Sequence, residues 1–317
     1  MNRAAVRHQR ELLRQQKLIA KMQDAEKAAY EVQVYENHID LLLSVHKECG
    51  EPYDWAEIGR SEPAPKPERL SANEDAAKLN LSSLKLGLSD KLLGRGDAKK
   101  KQLLDAIDDA KKLDEKEYQD ALISYQKQFD DLQFAKGLST KILAGDRAAY
   151  IEAIKKVDPF SDINGLGSSY NINADSEKTV TATLHVNGEN VIPNEAKTLT
   201  KSGKVSIKPM PKNRFYEIYQ DYVCGCTLRV ARELFALLPV DTVFVNAIGS
   251  HLNKQTGHVE EAPFLSVAIP RKTFDRLNFE NLDPSDSLAN FVHNMNFKKG
   301  KGFNPVEVLD PSTFTNT

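Results

Sequence analysis

The chain has 317 residues, of which 28% are charged and 40% hydrophobic, with a formal net charge of −2. This near-neutral balance argues against a global basic field, so contact with nucleic acid or an anionic membrane would need a local patch. No run of about 18 apolar residues and no signal-peptide core is present, so we expect no association with a membrane. The three cysteines do not form a disulfide framework, which favours the reducing cytoplasm.

The N-terminal part of the chain is predicted to be helical. Residues 3–46 contain neither Gly nor Pro, and their apolar positions recur at steps of three and four. Gly50 and Pro52 end this helix, and a Pro-rich, polar connector follows at 59–80. A second helix with the same apolar spacing is predicted to continue to about residue 143.

Two long amphipathic helices joined by a connector predict an antiparallel, coiled-coil-like hairpin over residues 1–145. A parallel homodimer would bury the same apolar stripes, and the spacing does not separate the two arrangements. A thin helix pair cannot shield both stripes from water, so we expect self-association or binding of a partner protein through these helices.

The remaining residues, 146–317, are predicted to form an α+β domain with a largely antiparallel sheet. A short helix capped by Asp146 precedes an alternating strand at 180–186, and Asn187-Gly188 predicts a tight hairpin turn. "VIPNEAKTLT" is the expected return strand and "KVSIK" a further strand. A helix of about 24 residues follows, apolar around much of its circumference, which predicts a buried spine. Two strands around a polar loop and the short helix "KTFDRLN" complete the domain.

Glu195-Ala196-Lys197 has the spacing of a metal-dependent nuclease core, in which carboxylates hold Mg²⁺ and a lysine orients the attacking water. On a strand, Glu195 and Lys197 would share a face, as such a core requires. A second carboxylate is missing, because Asp175 lies in a turn-like segment and Glu189 would lie about 20 Å away across the predicted hairpin. We therefore predict no catalytic residues, metal or cofactor, and the alternative is an Mg²⁺-dependent nuclease using Asp175, Glu195 and Lys197.

Two basic segments are candidates for weak nucleic-acid binding. Six cations near the N-terminus recur at steps of four and three, so they would lie along one helix face able to bind phosphates or an acidic helix. "NFKKGKGF" interleaves Phe297 and Phe303 with three lysines, a pattern that suits single-stranded nucleic acid. A solvated helix face and an ordinary loop anchored by two core phenylalanines are the alternatives. The candidate residues are Arg3, Arg7, Arg10, Arg14, Lys17, Lys21, Lys298, Lys299 and Lys301.

The order of elements and several stretches resemble a known bacterial arrangement over about residues 20–310. The stretches include "YDWAEI", "AGDRAAYIEAI", "FYEIYQDYVCGCTLRVARELFALLPVDTVFVNA" and "NPVEVL". They resemble the region ahead of the nuclease domain in some restriction endonucleases of the Mrr type. In those proteins the catalytic domain follows this region, and here the sequence leaves no room for it.

The resemblance implies a sensing, binding or assembly role, with defence against foreign DNA as its setting. The sequence thus favours a non-enzymatic binding or assembly protein of the cytoplasm. A metal-dependent nuclease and a purely structural coiled-coil oligomer are the alternatives.

Overall fold

The computed structural model describes residues 14–17, 24–84, 96–161 and 169–314. By its contacts the chain divides into two compact units, of which the first combines Met1–Asp54 with Lys141–Thr317 and the second is Trp55–Thr140. The fold mixes helices with a sheet that is mostly antiparallel, as predicted. The predicted division at residues 145 and 146 stays a prediction; by contacts, the N-terminal helix belongs to the unit that contains the sheet.

The secondary structure has the following bounds. The α-helices are α1 (Asp24–Ser44), α2 (Trp55–Arg60), α3 (Ala72–Ser82), α4 (Gly96–Leu143), α5 (Arg147–Val157), α6 (Lys212–Leu237), α7 (Arg271–Phe274) and α8 (Pro284–Ser287). The strands are β1 (Ser169–Ala174), β2 (Thr179–His185), β3 (Glu195–Leu199), β4 (Val205–Pro209), β5 (Thr242–Leu252), β6 (Val259–Pro270), β7 (Val292–Lys298) and β8 (Gly302–Asn304). Short 3₁₀ turns occupy Val45–Lys47, Glu189–Val191, Leu288–Asn290 and Pro311–Phe314, and residues 14–17 are helical.

Six strands form one sheet in the order β1-β2-β5-β6-β7-β8, and β3 pairs only with β4 in a separate antiparallel hairpin. Within the large sheet β2 and β5 are parallel, with Thr179 opposite Thr242, whereas the other neighbouring pairs are antiparallel. A parallel pair needs a long crossover connection, because the chain must return to the same end of the sheet. The β3–β4 hairpin and α6 together form this crossover, and α6 packs against β5.

The predicted hairpin at Asn187-Gly188 is wrong. Gly188 has φ −66° and ψ 176°, an extended conformation, whereas the tight turn would need left-handed backbone. Both edges of β2 are already paired, with β1 on one side and β5 on the other. The expected return strand therefore pairs with β4 instead, and Glu195 lies opposite Pro209.

Helix α6 is the spine of the first unit, as predicted. Every residue from 221 to 231 is buried, so neighbouring elements must cover the helix on all sides and not on one face alone. The helix contacts α1, the 3₁₀ turn Val45–Lys47, β5, β8 and α8, so it is covered from several sides. Arg271 ends it, since its guanidinium donates hydrogen bonds to the carbonyl oxygens of Phe235 and Leu238. A cation at this position also complements the negative end of the helix dipole.

Helix α1 packs against α6 and the β3–β4 hairpin. Its buried positions are Ala28, Val32, Ile39 and Leu42, which follow helical spacing. Val32 and Ile39 belong to the predicted stripe, but Ala29 is exposed, because the buried face is turned by one residue toward Ala28. The hairpin between this helix and the second long helix stays a prediction.

The second unit consists of helix α4 and the segment that runs along it. The Pro-rich residues 61–71, which we call the strap, are irregular, and they connect α2 to α3. Lys136 donates a hydrogen bond to the Ser61 carbonyl at 2.9 Å, and Arg69 forms an ion pair with Glu115 at 3.2 Å. From Ser61 to Arg69, eight extended residues at about 3.1 Å each span roughly 25 Å, and from Glu115 to Lys136, 21 helical residues at 1.5 Å each span roughly 32 Å. The long Lys and Arg side chains bridge the difference, so the strap runs antiparallel to α4.

The prediction of a linker over 59–80 is therefore wrong for its second half, which forms α3. Asp114 of α4 makes this helix possible, because its carboxylate accepts hydrogen bonds from the backbone N–H groups of Asn73 and Glu74 at 3.1 and 2.9 Å. It also accepts one from the Asn73 side chain at 2.8 Å. These are the donors that a helix N-terminus leaves unsatisfied, so Asp114 acts as a cap from a distant part of the chain.

We expect the substitution Asp114→Ala to release α3 from α4. Desolvation raises the pKa of Asp114, but the hydrogen bonds from Glu74 and Asn73 outweigh it and the pKa lies below its ordinary value. The stabilisation is thus present above the ordinary pKa of the carboxyl and is lost as the pH falls through its lowered value. Limited proteolysis should cut the variant between residues 61 and 82 faster than the wild type.

The matched control is Asp109→Ala, which removes an exposed carboxylate that pairs only with Lys112 on the same helix. Equal cleavage rates in the two variants would contradict the capping role.

Candidate functional site

The structure places the three residues of the nuclease alternative in different roles. Glu195 is exposed at the beginning of β3, and Lys197 forms an ion pair with Glu31 of α1 at 2.6 Å. Asp175 lies in the turn between β1 and β2, where its carboxylate accepts hydrogen bonds from Asn173 and Thr181, each at 2.6 Å. The two carboxylates therefore belong to different sheets, and the lysine is held by an acidic residue outside the predicted set.

The nuclease alternative also requires side chains that together hold a metal ion. Across residues 24–84, 96–161 and 169–314, no group of three or more His, Cys, Asp or Glu side chains has the arrangement of a metal site. Cys224 and Cys226 are both buried in α6, where desolvation raises the pKa of each thiol, that of Cys226 to about 12. Thiolates are the metal-binding and nucleophilic form, so burial favours a packing role for both residues.

The aromatic and basic segment near the C-terminus forms the β7–β8 hairpin. Phe303 is buried, and its ring stacks on Phe264 with centroids 5.3 Å apart and meets the edge of Phe297 at 5.1 Å. The phenylalanines therefore anchor the hairpin in the core, which was the alternative explanation. The lysines of this hairpin, Lys298, Lys299 and Lys301, are exposed.

Most of the N-terminal cations lie outside the described residues, namely Arg3, Arg7, Arg10 and Lys21. Arg14 and Lys17 are described, and both are exposed on the helical residues 14–17. The predicted alignment of all six on one face stays a prediction.

The β3–β4 hairpin carries a basic surface that the sequence analysis did not single out. Residues 196–216 contain six cations and no Asp or Glu. Backbone hydrogen bonding closes the tip, where Thr200 N–H donates to the Lys204 carbonyl at 2.8 Å and Gly203 adopts φ +75°. Lys204 and Lys208 lie on the face opposite to Lys197, because strand residues alternate between faces.

The four lysines that we call the hairpin lysines are exposed and form no ion pair within the described ranges; they are Lys201, Lys204, Lys208 and Lys212. The tip also lies beside the beginning of α1, since a Cβ at Gly203 would be 4.0 Å from Ala25. The chain segment that carries the N-terminal cations joins α1 at this end. An acid-free stretch of 21 residues in a near-neutral protein was the signal that could have revealed this surface.

A buried polar cluster surrounds α6 on another side. Arg229 and Glu233 form an ion pair at 2.7 Å with side chains 7% and 5% exposed, and Glu233 also accepts a hydrogen bond from the Gly50 N–H. Burial raises the pKa of Glu233 even though Arg229 opposes the shift. A buried pair of this kind is expensive to break, because the remaining charge would lose its partner. Both residues therefore hold the chain around Gly50 against α6.

Asp221 and His46 extend this cluster toward α8. Asp221 is 7% exposed, its Oδ1 atom has no hydrogen-bond partner, and desolvation raises its pKa to about 6. His46 is 1% exposed, and burial lowers its pKa. No local sequence pattern marks either residue, because their burial depends on α1 and α8 meeting α6. The cluster lies inside the protein and has no open cavity in front of it among the clefts that are described.

Comparison with known proteins assigns no family and no function to this chain. No protein-family model matches this chain, and no curated protein or solved structure gives a significant match. The resemblance to the region ahead of the nuclease domain in Mrr-type endonucleases thus stays an expectation. In the described ranges no helix is both long and apolar enough to cross a membrane.

We expect Asp221→Asn to raise the stability of the protein in a pH-dependent way. The pKa of Asp221 is raised in the folded state, so the wild type favours the protonated form and loses stability as the pH rises through about 6. Thermal unfolding should show a higher Tm for the variant at pH 8 and nearly equal Tm values at pH 4. A constant difference across this range would contradict the raised pKa, and Glu217→Gln, an exchange on the same helix, is the control.

We expect Lys197→Met to lower the free energy of unfolding by less than about 1 kcal/mol, since its ion pair with Glu31 is partly exposed. Glu195→Gln should leave it unchanged. Chemical denaturation measures both effects.

The same variants test the nuclease alternative. With Mg²⁺ and DNA, we expect the wild type and both variants to show no difference in DNA cleavage. Cleavage that both substitutions abolish would establish the catalytic pair instead.

Proposed function

We propose that this protein is a non-enzymatic binding protein that contacts a polyanion, with nucleic acid as the candidate, through the basic surface of its β3–β4 hairpin. The observation that supports this proposal is that the hairpin lysines are exposed and form no ion pair among the described residues, in a stretch (residues 196–216) without Asp or Glu. Lysines inside an ordinary solvated surface are usually interspersed with carboxylates. Glu31 of α1 pairs with Lys197, which lies on the other face of the hairpin.

The physical basis is release of counterions. Each lysine that neutralises a phosphate frees a condensed cation, so affinity comes from the number of contacts and carries no sequence preference. The net charge of −2 provides no long-range attraction, so binding depends on the local patch. We therefore expect weak binding that high salt abolishes.

The N-terminal cations are the natural extension of this surface. They precede α1 in the chain, and α1 begins beside the hairpin tip, so we include them as candidates for the same contact. The lysines of the β7–β8 turn form a separate candidate, and nothing in their surroundings distinguishes them from an ordinary exposed turn.

Other parts of the sequence-based hypothesis rest on less. A role in bacterial defence depends on the resemblance alone, and the nuclease alternative depends on the Glu195–Lys197 spacing alone. The helical hairpin of residues 1–145 and a purely structural coiled-coil oligomer rest on the apolar periodicity of the two long helices.

We expect the variant Lys201→Gln/Lys204→Gln/Lys208→Gln to bind duplex DNA more weakly than the wild type at low salt. The slope of log affinity against log salt should fall by about 0.9 for each lost phosphate contact, up to about 3 in total. Fluorescence anisotropy with a labelled duplex over a salt series measures both quantities.

The matched control is Lys99→Gln/Lys100→Gln/Lys101→Gln, which makes the same change in net charge at three exposed lysines of α4. A second arm removes residues 1–21, which should lower the slope further. Equal losses in the two triple variants would show that only net charge matters and would refute a hairpin site.

A further inference from the structure

Helix α4 has two opposite faces with different surroundings. The strap and α3 follow one face, marked by Asp114 and Lys136. Half a turn away is a second face, which we call the open face. Successive residues are about 100° apart, so positions three and four apart along the helix share a face. The open face consists of Leu113, Lys116, Asp120, Ile123, Lys127, Asp130 and Phe134.

Three regularly spaced apolar side chains on the open face are partly exposed. Ile123 is 69% exposed, Leu113 45% and Phe134 39%. They are ten or eleven residues apart, which is about 16 Å along the helix axis. Single exposed apolar residues are ordinary, but a series on one helix face is the usual form of a helix–helix contact.

The charges between these apolar residues make the face complementary to itself. From the N-terminus it reads apolar, Lys, Asp, apolar, Lys, Asp, apolar, and from the C-terminus it reads apolar, Asp, Lys, apolar, Asp, Lys, apolar. An antiparallel copy centred on Ile123 would place each lysine opposite an aspartate. The facing pairs are Leu113 with Phe134, Lys116 with Asp130, Asp120 with Lys127, and Ile123 with itself.

A parallel copy would produce the opposite result. Each residue would then face its own counterpart, so Lys116, Asp120 and Lys127 would each meet a like charge, which is destabilising. The charge pattern therefore selects the antiparallel orientation, although the apolar spacing alone does not.

We propose that the open face of α4 is a self-association surface that binds the same face of a second copy of this chain in antiparallel orientation. Its charges are available for this contact, because Lys116, Asp120 and Lys127 form no ion pair within the described residues. Asp130 accepts one hydrogen bond from Gln126 at 2.8 Å. By contrast, Lys111 and Lys112 have aspartate partners on their own helix.

The size of the contact sets its strength. The face from Leu113 to Phe134 spans about 32 Å of helix, which is small for a protein interface, so dimerisation is expected to be weak and dependent on concentration. Its ion pairs are exposed, so added salt should weaken it further.

The test uses charge reversal in the full chain. Asp120→Lys places a lysine opposite Lys127 of the other copy at both symmetric positions, and Lys127→Asp places an aspartate opposite Asp120 there, so each variant should dimerise about tenfold more weakly. The double variant Asp120→Lys/Lys127→Asp restores opposite charges and should recover wild-type association. An equimolar mixture of the two single variants should form a heterodimer, because its charges are again complementary.

Sedimentation equilibrium over a wide concentration range measures these constants, with Asp108→Lys as a matched reversal off the open face. Circular dichroism should show that every variant remains folded, since the changed residues are exposed. A wild type that stays monomeric would overturn the proposal. So would single variants that associate as strongly as the wild type, or a folded double variant that does not recover.

Discussion

The burial of helix α6 is the constraint on which the first unit depends. A helix buried along residues 221–231 must be covered from several directions, and each covering element is thereby fixed in place. The crossover from β2 to β5 carries α6 beside the sheet, α1 covers it from another direction, and α8 closes it near Gly225. The buried ion pair Arg229–Glu233 adds to this constraint, because removing one partner would leave a buried charge and cost about 3–5 kcal/mol.

This arrangement separates the polar groups that hold the fold together from those that can bind a partner. Arg229, Glu233, Asp221 and His46 are buried, and burial is the main cause of the pKa shifts of Glu233, Asp221 and His46. The hairpin lysines have the opposite properties, since they are exposed and form no ion pair among the described residues. A perturbed pKa often marks a functional site, but structural ion pairs perturb pKa values as well. In this protein the perturbed pKa values lie in the buried cluster, so the exposed lysines are the better candidates for binding.

The second unit depends on a different principle. Helix α4 is too long for its own stripe to be covered by a compact core, so the strap covers one face with extended, Pro-rich chain. Proline has no backbone N–H, which suits a segment that lies along a helix without joining a sheet. The buried carboxylate of Asp114 caps the first N–H groups of α3, so α3 begins where the strap ends. The open face lies on the other side of this helix.

Local patterns in the sequence determined the elements themselves. The helical spacing predicted α4 to its last residue, the apolar circumference of α6 predicted its burial, and Asp146 caps α5 through the N–H groups of Ala148 and Ala149. These features depend on residues within a few positions of each other. Tertiary structure decided which elements meet. Asn187-Gly188 failed as a turn because both edges of β2 were taken by strands far away in the chain. The linker became a helix because Asp114, some forty residues later, satisfies its first N–H groups. Glu195 and Lys197 were separated from Asp175 because β3 pairs with β4 outside the large sheet, a choice that strand spacing alone does not encode.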